Sequence, residues 1–343
     1  MKSAPRIAFV ELWRLGDAVA ATAGLETLAR AVPDSEIAII AHPINGEPLF
    51  RLLPRARHIP FAAFWTRGKV ARDKYLPWTI DYGAIRQVRR AIDDFSPDYC
   101  LLFRGDVREQ LFLWPLRSGK IVDFPGRFGF LPSVVRIDRP KAGPRFKEYV
   151  HLVQTWSNTT ASAEPQIAGD HVDTMRSGSF ILVHPGASWR FKQWSENYFA
   201  TVIRSLTEKQ IEVRLIGSTG DSSVIKAING QLEKPVEVIV PSLADFYRYV
   251  GASRLVICNN SAALHIAEAL NIPCIAITGP NDPVRWGTYR SHSRTLEKSV
   301  GLACHPCKEK RCVRPSDPCI QFVTPADVIK AMVEIGVLEP DAV

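Results

Sequence analysis

The chain has 343 residues, 46% hydrophobic and 23% charged, which is ordinary globular composition and points to two domains rather than one small one. No stretch approaches the roughly 20 apolar residues of a spanning helix, and the opening MKSAPRIAFVELWRLGD meets Glu11 and Arg14 too soon for a signal-peptide core, so a cytoplasmic protein without a transmembrane helix is expected. The net charge of +8 is uneven, with 24 Lys and Arg against 17 Asp and Glu in residues 1–168 and 19 against 18 in the remainder, so the first half is expected to meet something anionic.

Arg6 to Leu12 reads as an apolar strand, followed by Arg14-Leu-Gly-Asp and a helical run with Leu25, Leu28, Ala29 and Val32 on one face. Pro33-Asp34-Ser35 ends that helix, and Glu36 to Ala41 is the next strand, making a βαβ unit with parallel strands. Tyr99 to Phe103 and Lys120 to Phe124 extend the same sheet, and Tyr149, Leu152, Val153 and Trp156 again have helical spacing. Residues 157–178 lose periodicity and become rich in Ser, Thr, Ala and Gly, which places a linker there.

A second cycle starts at Ser179-Phe-Ile-Leu-Val and runs through a helix near 195–206, a strand at 211–217 and a helix at 222–232. It continues with a strand at 235–240, a helix at 243–250, a strand at 254–258, a helix at 261–270 and a strand at 272–278. The expected fold is α/β, two Rossmann-like doubly wound domains (1–168 and 179–323) facing a cleft, with ligand loops at the carboxyl ends of the strands. Residues 324–343 begin with a last helix, Thr324 to Val337, expected to pack back across the domains.

Four loops are candidates for chemistry. Gly16 and Asp17 sit where the first strand gives way to the first helix. Gly16 there allows a tight turn or close ligand approach, and Asp17 is either a helix cap or a group within reach of substrate. The loop His184-Pro-Gly-Ala-Ser-Trp-Arg-Phe-Lys-Gln-Trp combines Gly186 with Ser188, Arg190 and Lys192, so a diphosphate would gain backbone donors and a point charge. It matches neither the dinucleotide nor the P-loop fingerprint, and the alternative is a solvated basic loop packed by Trp189 and Trp194. Asn259-Asn260-Ser261-Ala262-Ala263-Leu264-His265 follows a buried strand and opens a helix with small residues, a second phosphate-grade helix end. Asp221, after Ile216-Gly-Ser-Thr-Gly, is placed either for ribose hydroxyls or for an N-cap.

Two further clusters stand out. Cys304-x2-Cys307-x4-Cys312-x6-Cys319 suits a tetrahedral metal by number but matches no standard spacing, and Lys308, Lys310, Arg311 and Arg314 between them favour oxidisable free thiols. Arg67, Lys69, Arg72 and Lys74 follow Trp65 in a long loop of the basic half and suit the phosphates or carboxylates of an acidic acceptor, or simply a solvated loop. A nucleic-acid-binding protein with a metal knuckle is disfavoured, because the cysteines lie in the near-neutral half and the aromatics form no stacking platform.

Together, Leu15-Gly16-Asp17-x-Val19, His184-Pro-Gly-Ala with Lys192-x-Trp194, Ser242-Leu-Ala-Asp-Phe, Asn260-Ser-Ala-Ala-Leu-His265 and Gly279-Pro-Asn-Asp-Pro resemble glycosyltransferase family nine, the lipopolysaccharide heptosyltransferases, over nearly the whole chain. The resemblance implies two Rossmann-like domains of the GT-B type, and a metal-independent, inverting transfer of heptose from ADP-heptose, with no cofactor beyond the nucleotide-sugar donor. The acceptor it implies is an anionic glycolipid of the lipopolysaccharide inner core, reached by peripheral contact at the cytoplasmic face of the inner membrane. It implies Asp17 as general base, Lys192 as counter-charge to the diphosphate, Ser261 to Leu264 as the phosphate turn with His265 beside it, and Asp221 near the ribose. Where many members read Asp-Ser/Thr-Gly, this chain has Asn260-Ser261-Ala262, which removes a carboxylate and adds a methyl group. The alternatives are a member using another nucleotide sugar with a protein or small-glycoside acceptor, and an inactive sugar-nucleotide-binding protein, against which the intact Asp17 speaks.

Overall fold

The computed structural model describes residues 4–66, 75–113, 119–126, 134–168, 178–307 and 312–339. The chain divides into two units, Met1–Ala168 and Gly169–Val343. The first runs β1 (Arg6–Glu11), α1 (Leu15–Ala31), β2 (Glu36–Ala41), α2 (Glu47–Leu52), β3 (Arg57–Pro60), α3 (Tyr82–Phe95), β4 (Tyr99–Leu101), α4 (Val107–Leu113), β5 (Lys120–Asp123), β6 (Val134–Arg136) and α5 (Arg145–Ser157). The second runs β7 (Phe180–His184), α6 (Glu196–Glu208), β8 (Glu212–Ile216), α7 (Ser222–Asn229), β9 (Glu237–Ile239), α8 (Leu243–Ala252), β10 (Leu255–Asn259), α9 (Ala262–Ala269), β11 (Cys274–Ile277), α10 (Pro283–Trp286), β12 (Arg294–Leu296) and α11 (Pro325–Glu334).

Each unit is built on a parallel six-stranded sheet, in the orders β3-β2-β1-β4-β5-β6 and β12-β11-β10-β7-β8-β9. Counted within its own unit, each order is 3-2-1-4-5-6, or its mirror listing, the order of the doubly wound folds. Continuous burial of Ile7 to Val10, Ile37 to Ala41, Ile181 to Val183 and Leu255 to Cys258 explains why these strands read as unbroken apolar runs: both faces are covered. In such a sheet the direction of winding reverses between two neighbouring strands, and the loops at their carboxyl ends splay apart to leave a crevice for ligands. Those strands are β1 and β4 in the first unit and β7 and β10 in the second.

Helix α1 is buried almost all round from Asp17 to Leu28, because it lies on the sheet and against α5. A Cβ at Gly24 would lie 2.7 Å from the Cβ of Tyr149, so this glycine sets the close approach of the two helices. In the second unit Trp194, Phe199, Ile203, Leu215, Ile257 and Ile277 share one core with Val328 and Met332 of α11, the last helix read from the sequence. The elements missing from the sequence reading are mainly the short outer strands β3, β6 and β12, and the amphipathic α3, which buries only Val88, Ile92 and Phe95.

Side chains of Asp81, Ser195, Ser242, Asp282 and Thr324 cap α3, α6, α8, α10 and α11. No side chain caps α1 or α9, each of which follows a strand at the winding reversal, nor α2 and α5, which open on Gly46 and Pro144. The first-turn amides of α1 and α9, at the carboxyl ends of β1 and β10, are therefore not capped by the residues that precede them, Arg14 and Ser261.

Candidate functional site

In the first unit the carboxyl end of β1 delivers a carboxylate cluster. Asp17 is the third residue of α1 and is buried; the cap position belongs to Arg14, so the helix-cap alternative for Asp17 is set aside. Gly16 is helical and not left-handed, so it is no turn glycine, and its contribution is the absence of a side chain in the first turn. Asp17 Oδ1 pairs with the Arg104 guanidinium, whose residue follows β4, and lies 3.9 Å from Arg145 Nε. Glu11 is buried beside them, 3.8 Å from Arg104 Nη2, and accepts from the Tyr149 hydroxyl and from the Trp13 amide at 2.9 Å.

Arg145 is held from behind by Glu148, by the Phe103 carbonyl at 3.2 Å and by the Tyr149 hydroxyl at 3.1 Å. Arg104 stacks over Trp13 at 4.5 Å, and the Trp13 indole N–H donates to Glu109 at 2.6 Å. Burial raises the pKa of Glu11, an effect reinforced by Asp17 and opposed by Arg104 and Arg145. Burial also opposes the charge on Arg104, but Asp17 and Glu11 outweigh it and hold the guanidinium above its ordinary value. The result is a rigid carboxylate, fixed in place by two cations whose own positions are set by further hydrogen bonds.

The second unit assembles most of the other sequence-read residues. The loop after β7 is pinned along its length: Asn259, at the end of β10, donates to the Pro185 carbonyl at 2.6 Å and accepts from the Trp194 amide at 3.0 Å. Gln321 accepts from the Ser195 amide at 3.0 Å and donates to the Gln193 carbonyl at 3.2 Å. Between these pins, Ser188 and Arg190 are exposed and Lys192 is half-buried in a single 3₁₀ turn. Trp194 is in the core, its indole N–H donating to the Val323 carbonyl at 2.7 Å. A Cβ on Gly186 would fall 2.4 Å from Asp221 Oδ1, so any larger residue there would have to displace that carboxylate. Asp221 Oδ2 accepts from the Ser218 amide and hydroxyl at 2.8 and 2.6 Å, which is capping geometry.

Ser261 occupies the cap position of α9 without capping it, and its hydroxyl lies 3.4 Å from His184 Nδ1. Ala262 and His265 are half-buried, Ala263 and Leu264 buried, and the His265 ring meets Trp286 edge-on at 6.2 Å. Asn260 donates to the Trp286 carbonyl at 2.8 Å and accepts from Asn281 at 2.7 Å. The amide at this position thus ties the turn to the Gly279–Asp282 segment, where Asp282 caps α10.

Burial lowers the pKa of His184, with Asp221 opposing. A histidine kept neutral by the fold leaves the unfolded chain to bind the extra proton as pH falls through the ordinary value of 6.5, so stability is lost on acidification. Taking the protein from about pH 7.5 to about 5.5 is expected to lower the melting temperature of the second unit more in the native chain than in His184→Gln; equal slopes would exclude His184 as the cause.

Cys304, Cys307, Cys312 and Cys319 are half-buried free thiols. Among the described residues no group of three or more His, Cys, Asp or Glu side chains is placed to hold a metal ion. Burial raises the Cys319 pKa and Ser299 partly opposes this, while the other three cysteines raise it further. The expectation of lowered, easily oxidised thiols is therefore not met at that position. Lys308, Lys310 and Arg311 lie outside the described residues, as do Arg67, Lys69, Arg72 and Lys74. Trp65, read with the latter cluster as part of a long loop, is instead buried against Phe61, Phe64 and Phe112 and belongs to the core.

Sequence reasoning missed Glu11, Arg104, Arg145 and Tyr149, and did not single out Asn259 and Gln321. The available signals were a charged or amide residue closing an apolar strand, at Glu11, Asn259 and, after Phe103, Arg104. Arg145, Glu148 and Tyr149 share one face of α5 at i, i+3 and i+4.

Residues 146–316 match the family model described as glycosyltransferase family 9 (heptosyltransferase). The chain belongs to this family. It is 23% identical to lipopolysaccharide heptosyltransferase 1 of Pseudomonas aeruginosa over 335 residues, covering 90% of this chain and 87% of the relative. The fold superposes on the family 9 glycosyl transferase of Veillonella parvula with a TM-score of 0.76 at 18% identity, covering 98% of both chains. It superposes on the E. coli heptosyltransferase WaaC solved with ADP with a TM-score of 0.72 at 17% identity, covering 96% of this chain and 100% of that one. The architecture is accordingly that of the GT-B glycosyltransferases, with two Rossmann-like units, as read from the sequence. No helix among the described residues is long and apolar enough to cross a membrane.

Proposed function

We propose that this family 9 glycosyltransferase moves a heptosyl group from ADP-heptose to a hydroxyl of an anionic glycolipid, the lipopolysaccharide inner core, with inversion at the anomeric carbon. The observation that carries the donor half is the uncapped N-terminus of α9 opening beside the Gly186 loop. Its first-turn amides, the small residues Ala262 and Ala263, and Lys192 form an anion site suited to a nucleoside diphosphate. The names of the relatives support ADP-heptose as that donor.

The acceptor chemistry falls to the first unit. The acceptor hydroxyl passes its proton to the Asp17 carboxylate as its oxygen bonds to the anomeric carbon; the bond from that carbon to the diphosphate oxygen breaks, and ADP leaves. Lys192 and the α9 amides take up the charge that accumulates on the diphosphate. Asp221 and His265 would lie by the nucleoside end. The net charge of the first half supports a phosphorylated, acidic acceptor, the cytoplasmic face of the inner membrane being where such a lipid is met.

Thermal-shift and calorimetric titration with ADP, UDP and GDP tests the donor assignment. ADP at 100 times its Kd stabilises the unit that binds it by about 2.7 kcal/mol, and Lys192→Ala is expected to weaken that binding. Preference for UDP or GDP would keep the mechanism and change the sugar, whereas unchanged ADP affinity in Lys192→Ala would remove this lysine from the site.

A further inference from the structure

The edge of the first sheet carries a surface that the transfer chemistry does not use. Just before α3, the 3₁₀ turn Pro77–Thr79 presents Trp78, which is 79% exposed, flanked by Leu76 at 37% and by Tyr82, the first residue of the helix, at 56%. Scattered surface apolar residues need no explanation, but a large aromatic this exposed beside another aromatic and a leucine does. Tyr75, 53% exposed, adjoins them and accepts from Arg108 at 2.8 Å.

Tyr82, Arg86 and Arg90 follow at i, i+4 and i+8 and so share one face of α3. Arg86 and Arg90, with Gly83, Gln87 and Asp94, line a groove of about 420 Å³ against Arg57 of the edge strand β3. All three arginines are exposed, and none forms an ion pair or hydrogen bond among the described residues. Nearby acids do not neutralise them: Asp81 is engaged in capping α3 through the Ala84 amide, and Asp94 is the one carboxylate in the groove lining. Arg89, by contrast, is turned inward to the Phe112 carbonyl.

We propose that this face docks on an anionic bilayer, with Trp78, Tyr82 and Leu76 at headgroup depth and Arg57, Arg86 and Arg90 receiving lipid phosphates in the groove. Tyr and Trp side chains, with an apolar body and a polar edge, favour the membrane interface. Arginines add attraction to anionic headgroups that screening by salt removes. An apolar ligand groove would lack the three cations. The proposal rests on the reading that the acceptor is a glycolipid, and it assigns the surface that brings the enzyme to it.

The test is flotation of the purified chain with vesicles of phosphatidylcholine alone and of phosphatidylcholine containing about a third phosphatidylglycerol. Binding is expected only to the anionic vesicles, and it should fall as salt is raised. The triple variant Arg57→Gln, Arg86→Gln, Arg90→Gln should weaken it on the order of 10²-fold. Trp78→Ala should weaken it as well, and the tryptophan blue shift that accompanies binding of the native chain should shrink. ADP titration of every variant monitors the second unit, and transfer to a deacylated acceptor should be unaffected by the triple variant. Equal binding to neutral and anionic vesicles, no binding to either, or native-like binding by the triple variant overturns the proposal. Vesicle binding without any ADP response leaves it standing and removes the donor reading instead.

Discussion

Asp17→Asn is expected to lower the turnover number by about 10²–10⁴-fold while leaving ADP affinity unchanged. The amide keeps the volume of the carboxylate but cannot accept the acceptor's proton. Its partners make the experiment more informative than a simple base deletion. Arg104 and Arg145 are held by Trp13, Glu148, Tyr149 and the Phe103 carbonyl, so the site keeps its shape when Asp17 loses its charge. Glu11 remains as a buried carboxylate 3.8 Å from Arg104 Nη2, which limits the cost of removing one member of a buried ion pair. Because ADP is assigned to the other unit, an unchanged ADP titration reports that the protein is folded. Turnover within about threefold of the native enzyme would exclude Asp17 as the base, since general-base catalysis is worth more than that.

The second large effect is expected at Asn259. Its amide is fully buried and its two ends serve two backbone groups of the same loop, the Pro185 carbonyl and the Trp194 amide. Asn259→Ala strands both groups, and a buried polar group without a partner costs about 1–3 kcal/mol, so a destabilisation of the second unit on the order of 3 kcal/mol is expected in denaturant unfolding. ADP affinity should fall with it, because the loop bearing Ser188 and Lys192 then loses both of its ties to the end of β10. Asn259→Asp restores an acceptor for the Trp194 amide but supplies no donor for Pro185, and is expected to recover only part of the loss. Stability equal to the native protein would show that the loop holds its conformation by other means.

Much of this architecture was legible in the residues because parallel strands covered on both faces are continuous apolar runs. Arg6 to Leu12, Glu36 to Ala41, Phe180 to Val183 and Leu255 to Cys258 could be placed on that ground alone. The outer strands were not legible, since β3 and β6 bury few side chains and carry no such signature. The loops at the strand ends could be located from Gly186 and the Asn260 turn, but their roles depended on tertiary contacts. Asp221 looked equally suited to a ribose or to a cap, and its Oδ2 is engaged by Ser218. The replacement of a carboxylate by Asn260 looked like a change at the donor, yet the amide is occupied by Asn281 and Trp286. Arg104 and Arg145 escaped notice because an arginine is ordinarily a surface residue, and only the fold shows that Asp17 and Glu11 bring them inside.

The most direct test of heptosyl transfer is to incubate the purified enzyme with ADP-heptose and a heptose-deficient lipopolysaccharide core, and to examine the acceptor by mass spectrometry. Addition of one heptosyl residue with release of ADP, lost in Asp17→Asn, is the predicted result. An acceptor that stays unmodified with ADP-heptose while a UDP- or GDP-linked sugar is transferred would contradict it.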